Sequence, residues 1–194
     1  IHIIQSNEPK MIGMYLPMTV PTIDEIFFEK ITSNIEWIKK KKEKKERWLL
    51  ELIDESLVVW SASSGGHANV VDLLLNVNNV NVNVVGSGGS TALYQASDCG
   101  HLNVVETLLK RTTIDVNKPR TTDGCTPLYI AAEKGHVQIV QTLLTRDDID
   151  VNKPQKDGCT PLYIAAQEGH VDTVQTLLTR DDIDMNKPDE EGCT

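Results

Sequence analysis

The sequence predicts an all-α repeat solenoid: stacked helix–turn–helix units with extended turns between them, preceded by a helical segment. Two observations predict it. Residues 157–190 repeat residues 123–156 with 27 of 34 positions identical. The dipeptide Gly-His also recurs at spacings of 34, 35 and 34 residues, at Gly66-His67, Gly100-His101, Gly135-His136 and Gly169-His170. A constant period of this length indicates an array in which each unit contacts only its neighbours.

Each unit carries the signals of a short first helix. Thr126 can cap a helix with its hydroxyl, and Pro127 suits the first helical position because its missing N–H needs no partner there. Apolar residues then continue from Leu128 for about two turns. Gly135 readily adopts the left-handed conformation that ends a helix. The next unit repeats these signals at Thr160, Pro161 and Gly169.

A second helix is expected to start at His136. Its apolar residues are spaced for one buried stripe, formed by Val137, Val140, Leu143 and Leu144. The polar stretch 147–157 contains Pro154 and is followed by Gly158, which predicts an extended turn. Two helices of this length cannot bury their apolar sides against each other alone, so neighbouring units must supply the rest of the core.

These motifs resemble the ankyrin repeat, whose signature joins a β-turn, two helices and the motif Thr-Pro-Leu-His-x-Ala. The tetrapeptide here is Thr-Pro-Leu-Tyr at 126–129 and 160–163, and Thr-Ala-Leu-Tyr at 91–94. The resemblance covers about residues 56–194.

The sequence departs from the family pattern in two places. A longer loop at 146–150 replaces the usual Gly-Ala-Asp. Tyrosine also replaces the signature histidine, and we expect each ring to pack and each hydroxyl to find a partner. The tyrosines concerned are Tyr94, Tyr129 and Tyr163.

Repeat spacing and composition divide the chain into three parts. Residues 1–21 show no clean period and predict an irregular lead-in. Residues 22–55 predict a helical, Lys-rich segment that caps the array, beginning with a capping-box pattern. The repeat domain, 56–194, then comprises units 56–89, 90–122, 123–156 and 157–190, and a truncated fifth unit at 191–194. Because this fifth unit stops at its helix cap, we expect the natural chain to continue.

Two segments have alternative interpretations. Residues 39–47 resemble a nuclear-localisation signal or an anion-binding patch, but a solvated helix with Glu43 and Glu46 among the lysines is favoured, since such motifs often match by chance. Residues 76–89 are rich in Asn and Gly. We interpret them as a loop rather than a low-complexity segment because Asn83 keeps the register of Asn117 and Asn152.

Charge and hydropathy restrict the partners. The net charge is −9, and residues 56–194 contain 10 basic and 18 acidic residues, a difference of −8. An acidic array repels phosphate backbones, so nucleic acid is not an expected partner. The chain has no apolar run of 18 residues, so we expect no membrane segment within it.

The cysteines predict free thiols. Cys125, Cys159 and Cys193 hold the same place in successive units. Stacked helices lie about 8–10 Å apart, whereas a disulfide needs Cα atoms within about 7 Å. The sequence contains no Cys-x-x-Cys pair, so its cysteines do not predict a zinc site. Free thiols are typical of a reducing compartment, which predicts an intracellular, cytoplasmic location, or a nuclear one if residues 39–47 act as a signal.

No pattern supports catalysis. One histidine per unit is too widely spaced for a shared metal ion, so a structural role is favoured. The acidic stretches 147–150 and 181–184 lack the central Gly and distant Glu of a calcium loop. Phosphate-binding loops, nucleophile elbows and zinc-protease motifs are also missing. We therefore expect no enzymatic activity, cofactor or metal.

The differences between the two near-identical units carry the best functional signal. Five of the seven changed positions are polar or charged, and four of these map in two pairs onto the family's binding surface; the fifth, Gln138/Asp172, is on the second helix. Neutral drift at exposed sites explains the changes equally well. The candidate partner-binding residues are Asp98, Thr122, Asp123, Cys125, Glu133, Lys134, Lys156, Asp157, Cys159, Gln167, Glu168, Asp189 and Glu190. Of these, Cys125 and Cys159 are expected to be partly exposed thiols.

The resemblance implies a non-catalytic scaffold or adaptor that binds another protein through its fingers and concave face. A basic or mixed-charge partner would be favoured because the groove side is acidic. The alternative is a recognition or regulatory arm of a larger multidomain enzyme, channel or ubiquitin-ligase-type protein whose catalytic part lies outside this chain.

Overall fold

The computed structural model describes residues 55–76 and 80–186, which form four helical pairs and no strand. The prediction of an all-α repeat solenoid is confirmed. Residues 1–54 and 187–194 lie outside the described part, as do the candidates Asp189 and Glu190. The helices are α1 (Glu55–Ser64), α2 (Ala68–Leu75), α3 (Ala92–Asp98), α4 (Leu102–Leu109), α5 (Pro127–Glu133), α6 (Val137–Leu144), α7 (Pro161–Gln167) and α8 (Val171–Leu177).

The first helix of each later pair begins at its predicted threonine. The hydroxyl oxygens of Thr91, Thr126 and Thr160 accept hydrogen bonds from the backbone N–H three residues ahead, at 3.2, 3.1 and 3.2 Å. Such a cap contributes about 1 kcal/mol to stability. The local signal therefore fixes where these helices start.

The Gly-His pair joins the two helices of a unit and also joins neighbouring units. Gly135 has a φ of +67°, in the region predicted for the end of the first helix. The ring nitrogen Nε2 of each following histidine donates to a carbonyl at the end of the preceding unit's first helix. The pairs are His101 with Ser64 (3.0 Å), His136 with Asp98 (3.3 Å) and His170 with Glu133 (2.9 Å). The histidines therefore have the structural role that the sequence predicted.

The helices form two rows. The first helices α1, α3, α5 and α7 stack on one another and contact their neighbours more extensively than the second helices do. Small residues such as Ala96 and Ala131, both fully buried, permit this close approach. The first-helix row is therefore the more extensively packed of the two rows.

The buried stripe of the second helix differs in part from the prediction. In α6, Val140 and Leu143 are fully buried as predicted, and Ile139 joins them. Val137 and Leu144 are only partly buried because they lie at the first and last positions of the helix.

The tyrosines that replace the signature histidine pack as predicted, but one hydroxyl is unsatisfied. Tyr94 is completely buried, and its hydroxyl has no hydrogen-bond partner among the described residues. The ring is enclosed between two units, and burial raises the pKa of its hydroxyl. Repeat one has Trp60 at this position, and its indole Nε1 does find a partner, the hydroxyl of Ser90 at 3.1 Å.

Candidate protein-binding surface

Three turns precede the first helices α3, α5 and α7, and we call them the fingers: residues 86–90, 120–125 and 155–159. Each is closed by a backbone hydrogen bond, from Gly86 N to Ser90 O (2.9 Å), Arg120 N to Cys125 O (2.9 Å) and Gln155 N to Cys159 O (3.0 Å). The middle finger encloses one residue more than the others. This extra residue accounts for the single 35-residue spacing in the sequence.

Backbone hydrogen bonds join the fingers into a row. Thr121 N donates to Gly89 O, and Lys156 N donates to Asp123 O, both at 2.9 Å. The ammonium group of Lys156 also donates to the carbonyls of Thr121 (3.0 Å) and Thr122 (2.6 Å). Lys156 is exposed, as a binding residue should be. Its hydrogen bonds show that it also holds the middle finger in place.

Asp123 organises the middle finger. Its carboxylate forms an ion pair with the Arg120 guanidinium and accepts a hydrogen bond from the backbone N–H of Cys125 at 3.0 Å. These interactions lower the pKa of Asp123 to about 2. Arg120 also lies over the Tyr94 ring, 4.8 Å from its centroid. The candidate Asp123 is thus tied to the scaffold and only partly exposed.

The finger tips present side chains to solvent. Thr122, Lys156 and Asp157 are all exposed. Asp157 accepts a hydrogen bond from the neutral amide of Gln155 at 3.2 Å, whereas Asp123 pairs with an arginine. The two fingers therefore hold their aspartates differently, and the Asp157 carboxylate is the more accessible to a partner.

A second group of candidates lies at the other end of the first helices, about 10 Å along the axis of each seven-residue helix. Asp98 and Glu133 are partly buried, and Lys134, Gln167 and Glu168 are exposed. Lys134 and Glu133 form one loose ion pair at 3.5 Å. The fingers thus lie at the N-terminal ends of the first helices, and the second group of candidates lies at their C-terminal ends.

The expectation that Cys125 is a partly exposed thiol is wrong. Cys125 is 5% exposed, and burial raises the pKa of its thiol to about 12. Cys159 is partly exposed, as expected. Cys125 therefore cannot touch a partner directly. The third thiol, Cys99, is exposed at the position that Lys134 and Glu168 hold in later units.

Sequence reasoning overlooked Thr121. It is exposed in the middle finger, and its backbone N–H links that finger to the one before it. The 35-residue spacing was the signal that pointed to this turn, but spacing alone cannot tell which residue of a loop is the inserted one.

Side chains of the types that bind metal ions are dispersed over the described part. Its His, Cys, Asp and Glu side chains do not gather in any group of three or more that could hold a metal ion. Within the described part, Cys99, Cys125 and Cys159 form no disulfide bond. None of the helices in residues 55–76 and 80–186 has the length and apolar character needed to cross a bilayer.

Comparison with known families agrees with this geometry. A family model for ankyrin repeats, in three copies, matches residues 35–120 and 114–189. A search of curated proteins found no match to the chain. Ankyrin repeats are generally protein–protein interaction modules and are typically non-catalytic. Because the ankyrin-repeat model matches most of its length, this chain belongs to the ankyrin-repeat family.

Proposed function

We propose that the chain is a non-catalytic scaffold or adaptor that binds a protein partner through its fingers and the ends of its first helices. The observation that carries the proposal is the contrast between a hydrogen-bonded backbone and exposed side chains on this surface. The finger backbones are joined by hydrogen bonds, while the side chains of Thr122, Asp157, Gln167 and Glu168 are exposed. A rigid edge with accessible polar side chains binds without a large entropic cost of ordering.

The charge of this surface favours a basic or mixed-charge partner. The exposed candidates on this surface carry both signs of charge: the carboxylates of Asp157 and Glu168, and the ammonium groups of Lys134 and Lys156. Complementary charge steers encounter and selects among partners more than it adds affinity. The acidic balance of the array supports the same preference and disfavours nucleic acid.

The test compares two charge reversals of equal size. The binding variant changes Asp157, Glu168, Asp189 and Glu190 to Lys. The control variant changes four carboxylates of the second helices and their loops to Lys: Asp72, Glu106, Asp147 and Asp181, all exposed. Proteins captured from a cell extract on the unchanged chain and on each variant are quantified by mass spectrometry.

The binding variant should lower recovery of the specific partners by about tenfold, because like charges across an interface are strongly unfavourable. The control should change recovery by less than about twofold, as expected for surface changes away from an interface. Equal recovery on both variants would remove the fingers and helix ends from the proposal.

Free thiols support a reducing, intracellular location, cytoplasmic or nuclear. Cys99 is exposed and unpaired with another cysteine, which suits a compartment where thiols stay reduced. A fluorescent fusion tests the location, and alanine replacement of the lysines in residues 39–47 tests nuclear targeting. A fusion that is secreted would contradict this assignment.

A further inference from the structure

A groove of about 720 Å³ lies on the second-helix row, between α6 and α8. It is therefore formed by elements other than the fingers and first helices of the proposed binding surface. Leu102 of α4 and Val137 of α6, both partly buried, contribute apolar surface to it. Besides His136, its polar lining comes from Gln138, Gln141, Asp172, Gln175, Thr176 and Thr179.

The amide groups in this groove have unused hydrogen-bonding capacity. Gln138, Gln141 and Gln175 are exposed, and their side chains make no hydrogen bond with any residue of the described part. Each amide offers both donors and an acceptor. A polypeptide backbone presents N–H and C=O groups in alternation, so amides along a groove match an extended peptide better than they match a purely anionic or purely apolar ligand.

The threonines add acceptors to this set. The hydroxyl of Thr176 donates to the carbonyl of Asp172, and that of Thr179 donates to the carbonyl of Thr176, both at 2.7 Å. Since each hydroxyl proton is already engaged, these oxygens can offer only lone pairs to a ligand. The groove therefore contains donors from the glutamines and acceptors from both residue types.

The dimensions suit a short segment. The eight residues of α6 span about 12 Å at 1.5 Å per residue. An extended chain advances about 3.3 Å per residue, so three to four residues fit along the groove. Asp172 is the one carboxylate in the lining and is exposed, which favours a Lys or Arg in that segment.

The groove differs chemically from the same surface in earlier units. The position six residues after the Gly of each Gly-His pair is Asp72, Glu106, Gln141 and Gln175 in successive units. Units one and two are thus charged where units three and four carry amides. Lys110 likewise stands where unit four has Thr179.

We propose that the groove between α6 and α8 is a second interaction surface, which binds an extended peptide segment containing a basic residue through Gln138, Gln141, Gln175 and Asp172. This surface is independent of the fingers and first-helix ends. The chain would then be able to hold two protein segments at once, one on each row of helices.

The experiment selects random peptides of about 12 residues, long enough for the groove and its flanks, on the full chain by phage display. Synthetic copies of the enriched peptides are titrated against the chain by calorimetry. The groove variant combines Gln141→Ala, Gln175→Ala and Asp172→Asn, the last matching Asn103 of unit two. The control variants are Glu106→Ala, and a first-helix variant with Glu133, Lys134, Gln167 and Glu168 changed to Ala.

The expected result is at least one family of peptides with a Lys or Arg whose affinity falls about tenfold in the groove variant and is unchanged in both controls, since several hydrogen bonds and one charge contact are removed together. An unchanged thermal midpoint verifies that the variant remains folded. The proposal is overturned if selection yields no peptide, or if every selected peptide is insensitive to the groove variant. If every selected peptide is lost only in the first-helix variant, the result supports the first-helix ends as the binding surface and overturns the groove.

Discussion

Repeats three and four are nearly the same sequence in different surroundings. Leu128 of repeat three is completely buried and its counterpart Leu162 is not; Val151 is 1% exposed and its counterpart Met185 is 63% exposed. Repeat three packs between two units, whereas the described residues supply a neighbour on only one side of repeat four. Burial in such an array therefore belongs to the contact between units rather than to the unit's own sequence.

The largest expected effect on the free energy of unfolding comes from a matched pair of core truncations, one in each repeat. Leu128→Ala should lower the free energy of unfolding by about 3–4 kcal/mol, because it leaves a cavity between two units. Leu162→Ala should cost about 1–2 kcal/mol, because a partly exposed side chain loses less burial. Urea denaturation followed by circular dichroism measures both. Equal losses would mean that another part of the chain covers repeat four.

A second pair uses the glycines of the Gly-His turns. Gly135 and Gly169 both have a left-handed φ, +67° and +76°. An added Cβ at Gly135 would lie 2.6 Å from the His170 ring, whereas at Gly169 nothing lies within 4 Å. Gly169→Ala should therefore cost only the backbone strain of about 1 kcal/mol.

Gly135→Ala should cost about 3 kcal/mol, because the displaced histidine adds steric strain to the backbone term. Urea denaturation of both variants under the same conditions measures the difference between their free energies of unfolding. If the two alanines were equally tolerated, the histidine would have to be free to move aside.

A third test concerns Thr173, which replaces the Ile139 of repeat three. Thr173 is fully buried, and its hydroxyl has no hydrogen-bond partner among the described residues. Thr173→Val should raise the free energy of unfolding by about 1 kcal/mol by removing an unsatisfied polar group. The control is Thr107→Val, since the Thr107 hydroxyl donates to Asn103 O at 2.7 Å. A stabilised Thr107→Val variant would contradict the explanation.

The smallest expected effect on stability comes from the Arg120–Asp123 ion pair of the middle finger. Arg120 holds the pKa of Asp123 at about 2, below its unfolded value near 3.9. The resulting stability is present above about pH 4 and is lost as the pH falls toward 2. Because water reaches and screens this pair, we expect about 1 kcal/mol. Denaturation between pH 6 and pH 2 measures it.

Arg120→Gln imitates the Gln155 of the next finger. It should remove most of this acid dependence while leaving the free energy of unfolding at pH 7 lower by a similar amount, about 1 kcal/mol. An identical pH profile in this variant would show that Arg120 does not control the carboxyl.

The sequence predicted the features that depend on near neighbours along the chain. Thr126 and Pro127 start a helix because the cap acts on an N–H three residues away. The burial of Cys125 and the attachment of Lys156 to the middle finger depend on residues brought together by stacking, which spacing does not encode. The groove between α6 and α8 likewise exists only once two helices are side by side. The sequence did mark it indirectly, because Gln138/Asp172 was among the changed positions.

The histidine that bonds to the preceding unit has a consequence for how such a chain can evolve. In the described part, units two, three and four each bring a histidine ring to a carbonyl of the preceding unit, and units one, two and three each supply that carbonyl. A gene duplication or deletion of one whole period therefore restores every junction without any new contact having to arise. Arrays of this sequence can change in length, and exchange one set of exposed side chains for another, while each junction keeps the same chemistry.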